Sequence, residues 1–359
     1  MNGQTRAGFI ILEKDHFNGN PIDVLKLVTA DGRDYVTHIM KFKGENDVDM
    51  YDEKFETTSL ACKNRDKVQI IAFGGNDCTE LERVQKLGGI VEEIFNQTTD
   101  KHKRRKGKDI NVTTIGYTIN PLLEDGANIE RSYDMPLELL SRRIFNTDGS
   151  IEDIKNRAAN TILFSHCVGG VCVDRIIETL ENELKRKGAT ESQINEILNS
   201  LIAINYAKYV PQQGNIKSKI PTVNLFQVYD IQNDGSWFMR DDVSAQDSKK
   251  IRKVLERAKK EMCLVSEVKR WNGAIVWNNE NGNILNISLD KLKSKGGKVH
   301  NPSDLIIHCE KSESSSLLKE FMESFNEWRD EIVEGKHNSA VKVPILRQKL
   351  VQNCLGKQM

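Results

Sequence analysis

The chain has 359 residues, 38% of them hydrophobic and 29% charged, and its 52 basic and 52 acidic side chains cancel to a formal net charge of +0. This is the composition of a folded globular protein, and the charge balance removes the overall field that would draw the chain to nucleic acid or an anionic membrane. No apolar run approaches the length of a transmembrane segment, the N-terminus lacks a signal peptide's apolar region, and the seven cysteines are scattered without a C-x-x-C pair, so reduced thiols in a cytoplasmic compartment are expected.

The first 66 residues read as an N-terminal antiparallel β extension. Phe9 to Leu12, Val24 to Val28 and Tyr35 to Met40 are strand-like, with Ala30-Asp-Gly-Arg33 as a hairpin turn, and Glu45 to Thr58 is acidic and turn-rich. From 67 to 359 the pattern changes to alternating strands and helices. Val68 to Phe73 is a strand running into Gly74-Gly75-Asn76-Asp77; Thr79 to Phe95 has helical spacing; Asn111 to Tyr117 is a strand. Helices follow around Pro136 to Phe145 and from Ser150 to Ala159, then a strand from Thr161, a helix from Val168, a helix from Glu191 to Leu201 and a strand at Ile202 to Tyr206. The rhythm breaks between 221 and 300, read as an insertion: Thr222 to Ile231 is a strand, Ser244 to Met262 a charged helix, and Ala274 to Trp277 and Ile284 to Ser288 flank a turn rich in Asn and Gly, the mark of a β-hairpin. It resumes with a strand at Asp304 to Cys309, a helix at Ser316 to Ile332, the loop Glu334 to Asn338 and a last helix near Pro344 to Cys354. Such alternation predicts an α/β fold, a mostly parallel central sheet with helices on both faces.

The segment Thr161-Ile-Leu-Phe-Ser-His-Cys-Val-Gly-Gly170 is the most informative. A buried strand gives way to a helix whose apolar positions include Cys172, Ile176, Ile177, Leu180 and Leu184, and Cys167 stands at the junction. Ser165 two residues before and Gly169 two residues after leave room for strand and helix to approach, the requirement of a nucleophile held on a sharp turn. A sulfur there faces a helix N-terminus, which favours thiolate.

The order of parts resembles the α/β-hydrolase fold. Ser165-His-Cys167-Val-Gly169-Gly170 is similar to the family's nucleophile elbow, above all to the cysteine form in dienelactone hydrolases. Ile70-Ile-Ala-Phe-Gly-Gly-Asn76 resembles the strand and glycine loop that helps build the oxyanion hole. Leu305 to Glu313, a helix, and Gly335-Lys-His337 resemble the acid-bearing strand and histidine loop. The resemblance implies an enzyme that cleaves an ester, thioester or amide of a small-molecule or acylated substrate through an acyl-cysteine. Cys167 would be the nucleophile, His337 the base, Glu310 or Glu313 the acid, Gly74, Gly75 and Val168 the oxyanion hole, and His166 and Asn76 part of the substrate pocket. The chain departs from the family in its cysteine nucleophile and in Ser312, which stands where an acid is often found.

Each residue also has a plainer reading. Cys167 would otherwise be a core cysteine, His337 a surface-loop histidine, and the carboxylates solvated charges. His300 is a second candidate base, His308 reads as a core histidine, and Asp230 and Asp234 are alternative acids. The basic run Lys101 to Lys108 reads as a solvated loop, with binding of phosphate groups or anionic lipid, or a nuclear address, as the alternative, and Trp237, Phe238, Trp271 and Trp277 as pocket lining or hairpin packing. No metal-ligand spacing, dinucleotide fingerprint or phosphate loop occurs, so no metal or cofactor is expected. The competing functional class is a binding protein on the same scaffold that has lost its acid; a third reading, from composition alone, is a bacterial effector secreted into a host cell.

Overall fold

The computed structural model describes residues 8–17, 20–29, 34–42, 48–51, 68–97, 110–118, 129–206, 219–226, 265–271, 274–279 and 284–288. The expected strand from Asp304 to Cys309, the helices after it and the charged helix from Ser244 lie outside these residues, as does the basic run 101–108.

The short apolar runs become the centre of a mixed α/β sheet. Six strands run parallel in the order β12 (Ile284–Ser288), β9 (Thr222–Phe226), β8 (Ile202–Tyr206), β7 (Thr161–His166), β5 (Val68–Phe73) and β6 (Ile110–Tyr117). Every residue of β7 and β8 is buried, as expected for parallel strands covered on both faces. Antiparallel strands extend the sheet at each side. β1 (Gly8–Phe17) pairs with β6 and leads into β2 (Asn20–Thr29), β3 (Asp34–Phe42) and β4 (Val48–Tyr51). On the far side β11 (Ala274–Asn279) pairs with β12 and with β10 (Val265–Trp271). β11 and β12 therefore belong to the main sheet and not to an insertion apart from it, because β12 hydrogen-bonds in parallel to β9.

Helices lie on both faces. α1 (Leu81–Gln97) crosses β6 where Gly88 meets Thr114: a Cβ at Gly88 would fall 2.5 Å from Thr114 Oγ1, so the glycine that weakens the helix locally is what lets it seat. The other face carries α2 (Ile129–Phe145), α3 (Ile151–Ala159), α4 (Gly169–Arg186) and α5 (Glu191–Ser200), whose apolar sides share one core with Phe9, Ile71, Phe73, Ile115, Leu163 and Ala203. α2 begins a full two turns before the expected start at Pro136. Proline lacks an N–H and reads as a first-turn residue, yet here it sits inside the helix. α4 buries Val173, Ile176, Ile177, Leu180 and Leu184, each contributing roughly 1.5–3 kcal/mol.

The chain leaves β5 through α1 on one face to reach β6, and leaves β7 through α4 on the other face to reach β8. The crevice at the carboxyl ends of β5 and β7 is therefore the switch point of the sheet, the place where open α/β sheets receive ligands.

One polar row crosses the apolar sheet. Ser165, Asn205 and Asn224 share a register on β7, β8 and β9, and Asn286 on β12 aligns with Asn224. Ser165 Oγ donates to Asn205 Oδ1 at 2.5 Å and Asn205 Nδ2 donates to Asn224 Oδ1 at 2.9 Å, all three residues buried. A one-residue slip would carry these groups to the opposite face without partners, so the row specifies the register. Asn205→Leu removes the acceptor of Ser165 Oγ and the donor to Asn224 Oδ1 and is expected to lower stability by about 2–4 kcal/mol in urea denaturation, well beyond an ordinary surface substitution.

Candidate active site

The last strand-to-strand hydrogen bond of the β7 end runs from Cys167 N–H to Tyr206 carbonyl, 3.1 Å. The backbone then turns abruptly: Cys167 has φ of +52°, and by Val168 the chain is already helical at φ −59° and ψ −23°. The only other non-glycine residue with positive φ among those described is Asn146. Asparagine tolerates the left-handed region; cysteine enters it only when its surroundings force it, at a cost of about 1–2 kcal/mol.

The forcing contact is at Gly169. A Cβ there would lie 2.6 Å from the Phe73 carbonyl oxygen and 2.7 Å from that of Gly74, so the start of α4 rests directly on the end of β5. The loop after β5 is tied down in turn. Gly74 N–H donates to Ile115 carbonyl at 2.8 Å, the Tyr117 hydroxyl donates to Gly74 carbonyl at 2.7 Å, and Cys78 N–H donates to Gly75 carbonyl at 3.0 Å. Gly75 is flanked by His166 and Asp77: the point its Cβ would occupy is 2.7 Å from His166 Nδ1 and 3.1 Å from Asp77 Oδ1. The His166 ring stacks on Tyr206 with centroids 5.9 Å apart, and Asp77 pairs with Arg83 at 3.0 Å at the protein surface.

α4 begins without a side-chain cap, whereas α3 and α5 both carry full capping boxes, Ser150 with Asp153 and Thr190 with Gln193. The first N–H groups of α4 are thus left to something other than a neighbouring side chain, and the helix dipole adds to their attraction for negative charge.

Of the residues singled out from the sequence, Cys167, Val168, Gly74, Gly75, Asn76 and His166 gather at this crevice. The chemistry asks for a thiol open to solvent beside an imidazole; instead Cys167 is only 4% exposed and packs within the apolar core shared with α4. His337, Glu310, Glu313, His300, His308, Asp230, Asp234, Trp237 and Phe238 lie outside the described residues. Trp271 and Trp277 fall on β10 and β11. Among the described residues, no three His, Cys, Asp or Glu side chains are grouped to hold a metal ion, and no helix is long and apolar enough to cross a membrane. Sequence reasoning missed Tyr117, since an aromatic at a strand end is unremarkable, and Asn205, whose one visible signal is a polar residue inside Ile-Ala-Ile-Asn-Tyr.

Two further thiols are buried nearby, Cys78 against Gly74 and Cys172 donating to the Tyr117 hydroxyl. Burial pushes both Cys78 and Cys172 up to about 12, with the Asp77 charge adding to the rise at Cys78. They are inert at neutral pH.

No protein-family model matches the chain, and no curated protein matches it. One of the solved structures that align with it is a putative carboxylesterase from Lactobacillus plantarum, 9% identical over 70% of this chain and 84% of that one, with a TM-score of 0.27. A superposition that loose says nothing about chemistry, and the site rests on the chain's own residues.

Two outcomes are expected. At an ordinary position Ala is more stable than Gly; at position 167 the order reverses, with Cys167→Gly more stable than Cys167→Ala by about 1 kcal/mol in chemical denaturation, because only glycine is at ease with this backbone. The raised thiols give the second. Between their ordinary value of 9.0 and about 12 the unfolded chain loses protons that the folded chain keeps, so stability is full below about 9 and falls as pH rises. Each thiol contributes about 1.4 kcal/mol per pH unit to that fall. Cys172→Ala makes the decline shallower by one proton, read from denaturation midpoints across the alkaline range.

Proposed function

We propose that the protein is a hydrolase of α/β-hydrolase-like architecture that cleaves an ester, thioester or amide through a covalent acyl-cysteine at Cys167. The observation that carries this reading is the left-handed backbone of Cys167 at the junction of β7 and α4. The close seating of α4 on β5 imposes that conformation, and it is the one a nucleophile projecting from a sheet edge toward a helix N-terminus requires. The switch-point crevice, the uncapped α4 and the pinned glycine loop beside it support the same reading.

In the reaction, the Cys167 sulfur attacks the substrate carbonyl carbon as an imidazole takes its proton. The carbonyl π pair moves onto oxygen, and the resulting oxyanion accepts hydrogen bonds from N–H groups at Gly75 and Val168. Collapse of the adduct breaks the bond to the leaving group, which receives the proton from the imidazolium. Water then hydrolyses the thioester, releasing the acid and the free thiol.

The family resemblance assigns the imidazole to His337 and the carboxylate to Glu310 or Glu313. The sheet order favours a second assignment. β9 is bounded by β8 on one side and β12 on the other, so the strand beside β9, from which the family's histidine loop departs, is β12. The chain leaves β9 and β12 at the same edge as Cys167, and the first acid after β9 is Asp230, the first histidine after β12 His300. A binding protein on this scaffold is the other reading, favoured by the 4% exposure of Cys167 and its place in the apolar core.

With p-nitrophenyl acetate, the enzyme is expected to release a burst of nitrophenolate and to carry one acetyl group on the Cys167 peptide by mass spectrometry. Cys167→Ala removes both. His300→Gln slows turnover by roughly 10²–10⁴-fold, the usual contribution of a general base, with His337→Gln close to wild type; the reverse pattern returns the base to His337. A wild-type protein that binds an ester without ever acylating Cys167 is a binder.

A further inference from the structure

Tyr117 closes β6 and is fully buried, its ring wedged against Phe9 and Tyr133 with centroids 6.0 and 5.8 Å away. Packing on both sides leaves its hydroxyl one position, and that position is beneath the glycine loop. The hydroxyl donates to Gly74 carbonyl at 2.7 Å and accepts a weak hydrogen bond from Cys172 Sγ at 3.8 Å. The N–H of Gly74 is held independently by Ile115 carbonyl, 2.8 Å away. The peptide joining Gly74 to Gly75 is trans. In a planar trans peptide the C=O and the N–H point in opposite directions, so whatever fixes one fixes the other. A Gly74 carbonyl held by Tyr117 turns the Gly75 N–H to the side opposite that hydroxyl, and among the described residues no backbone carbonyl accepts it. Two consecutive glycines would otherwise let this peptide rotate at little cost.

We propose that Tyr117 is a positioning residue for the oxyanion hole: its buried hydroxyl locks the Gly74–Gly75 peptide in the orientation that presents the Gly75 N–H to the Cys167 edge. This rests on the acyl-cysteine reading for the use made of that N–H, while the lock itself does not. Tyr117 touches neither substrate nor sulfur in this role; it acts through one peptide unit.

Tyr117→Phe keeps the ring and its packing and removes only the hydroxyl. Turnover of p-nitrophenyl acetate is expected to fall roughly 10- to 100-fold in kcat, short of the full loss of an oxyanion donor, with KM within about twofold. Alkylation of Cys167 by iodoacetamide forms no oxyanion and should proceed at the wild-type rate. Cys172→Ala removes the thiol that donates to Tyr117 but keeps the hydroxyl, and should retain wild-type kcat. The Gly74 carbonyl 13C and Gly75 amide 15N resonances, followed by NMR, should shift and broaden in Tyr117→Phe as the peptide between them gains freedom to rotate. An unchanged kcat in Tyr117→Phe, or a loss of kcat matched by an equal loss of alkylation rate, overturns the proposal. If the wild-type protein never acylates Cys167, the hydrolase reading fails by itself, and the resonances of the Gly74–Gly75 peptide then decide the lock alone: shifted and broadened signals in Tyr117→Phe uphold it and unchanged ones refute it.

Discussion

The contact on which the site depends is between α4 and the end of β5. Gly169 lies against the carbonyl oxygens of Phe73 and Gly74 with no space for a side chain. Strand and helix can come this close only if the chain reverses within one residue, and the residue that absorbs the reversal is Cys167, at φ +52°. The strain at 167 and the glycine at 169 are two views of one constraint. The burial of α4 against the sheet, several apolar side chains at roughly 1.5–3 kcal/mol each, is large enough to hold a distortion that costs about 1–2 kcal/mol. The energetics of the core thus decide the geometry at the edge.

The same contact orders the electrostatics. α4 points its uncapped N-terminus at the crevice, and the loop that abuts it has its carbonyls directed inward, toward Tyr117 and toward the turn at Cys78. Two further thiols lie nearby. Cys78 and Cys172 lie in apolar surroundings that keep them protonated. Three cysteines therefore stand within one small region, and it is the backbone around them, not the sulfur chemistry, that sets Cys167 apart.

How much of this could be read from the sequence depends on how local the cause is. The junction at Ser165, Cys167 and Gly169 was legible because a steric demand between residues two apart leaves a fixed pattern of small side chains. The start of α3 near Ser150 and the burial of β7 were legible because their signals, too, lie within a few residues of the feature they mark. The early start of α2 was not, since Pro136 carries a strong local signal for a helix beginning that the packing of Tyr133 and Leu137 into the core overrides. The place of β12 was also hidden. A turn rich in Asn and Gly announces a hairpin, and β11 and β12 do pair across it, but nothing near Ile284 reveals that the strand's other edge joins β9, some sixty residues earlier in the chain. Choosing among His300, His308 and His337 requires that non-local fact, which is why spacing alone left the base and acid open.

The buried row from Ser165 to Asn224 connects these two levels. Polar groups inside a parallel sheet are costly unless each finds a partner, and three strands meet that demand only in one register. Ser165 is two residues from Cys167, and Asn224 is paired in register with Asn286 of β12. A slip anywhere along the row would break its hydrogen bonds and also shift the carboxyl ends of β9 and β12 relative to Cys167. The row therefore converts a local requirement, that buried amides be satisfied, into a long-range one: the segments leaving β9 and β12 must start at a fixed height above the elbow. A catalytic group carried on either segment needs such a reference, since a misplacement of about one ångström between base and nucleophile is enough to cost a large part of the rate. An apolar row would fill the same volume with no loss of burial, but it would not set that height.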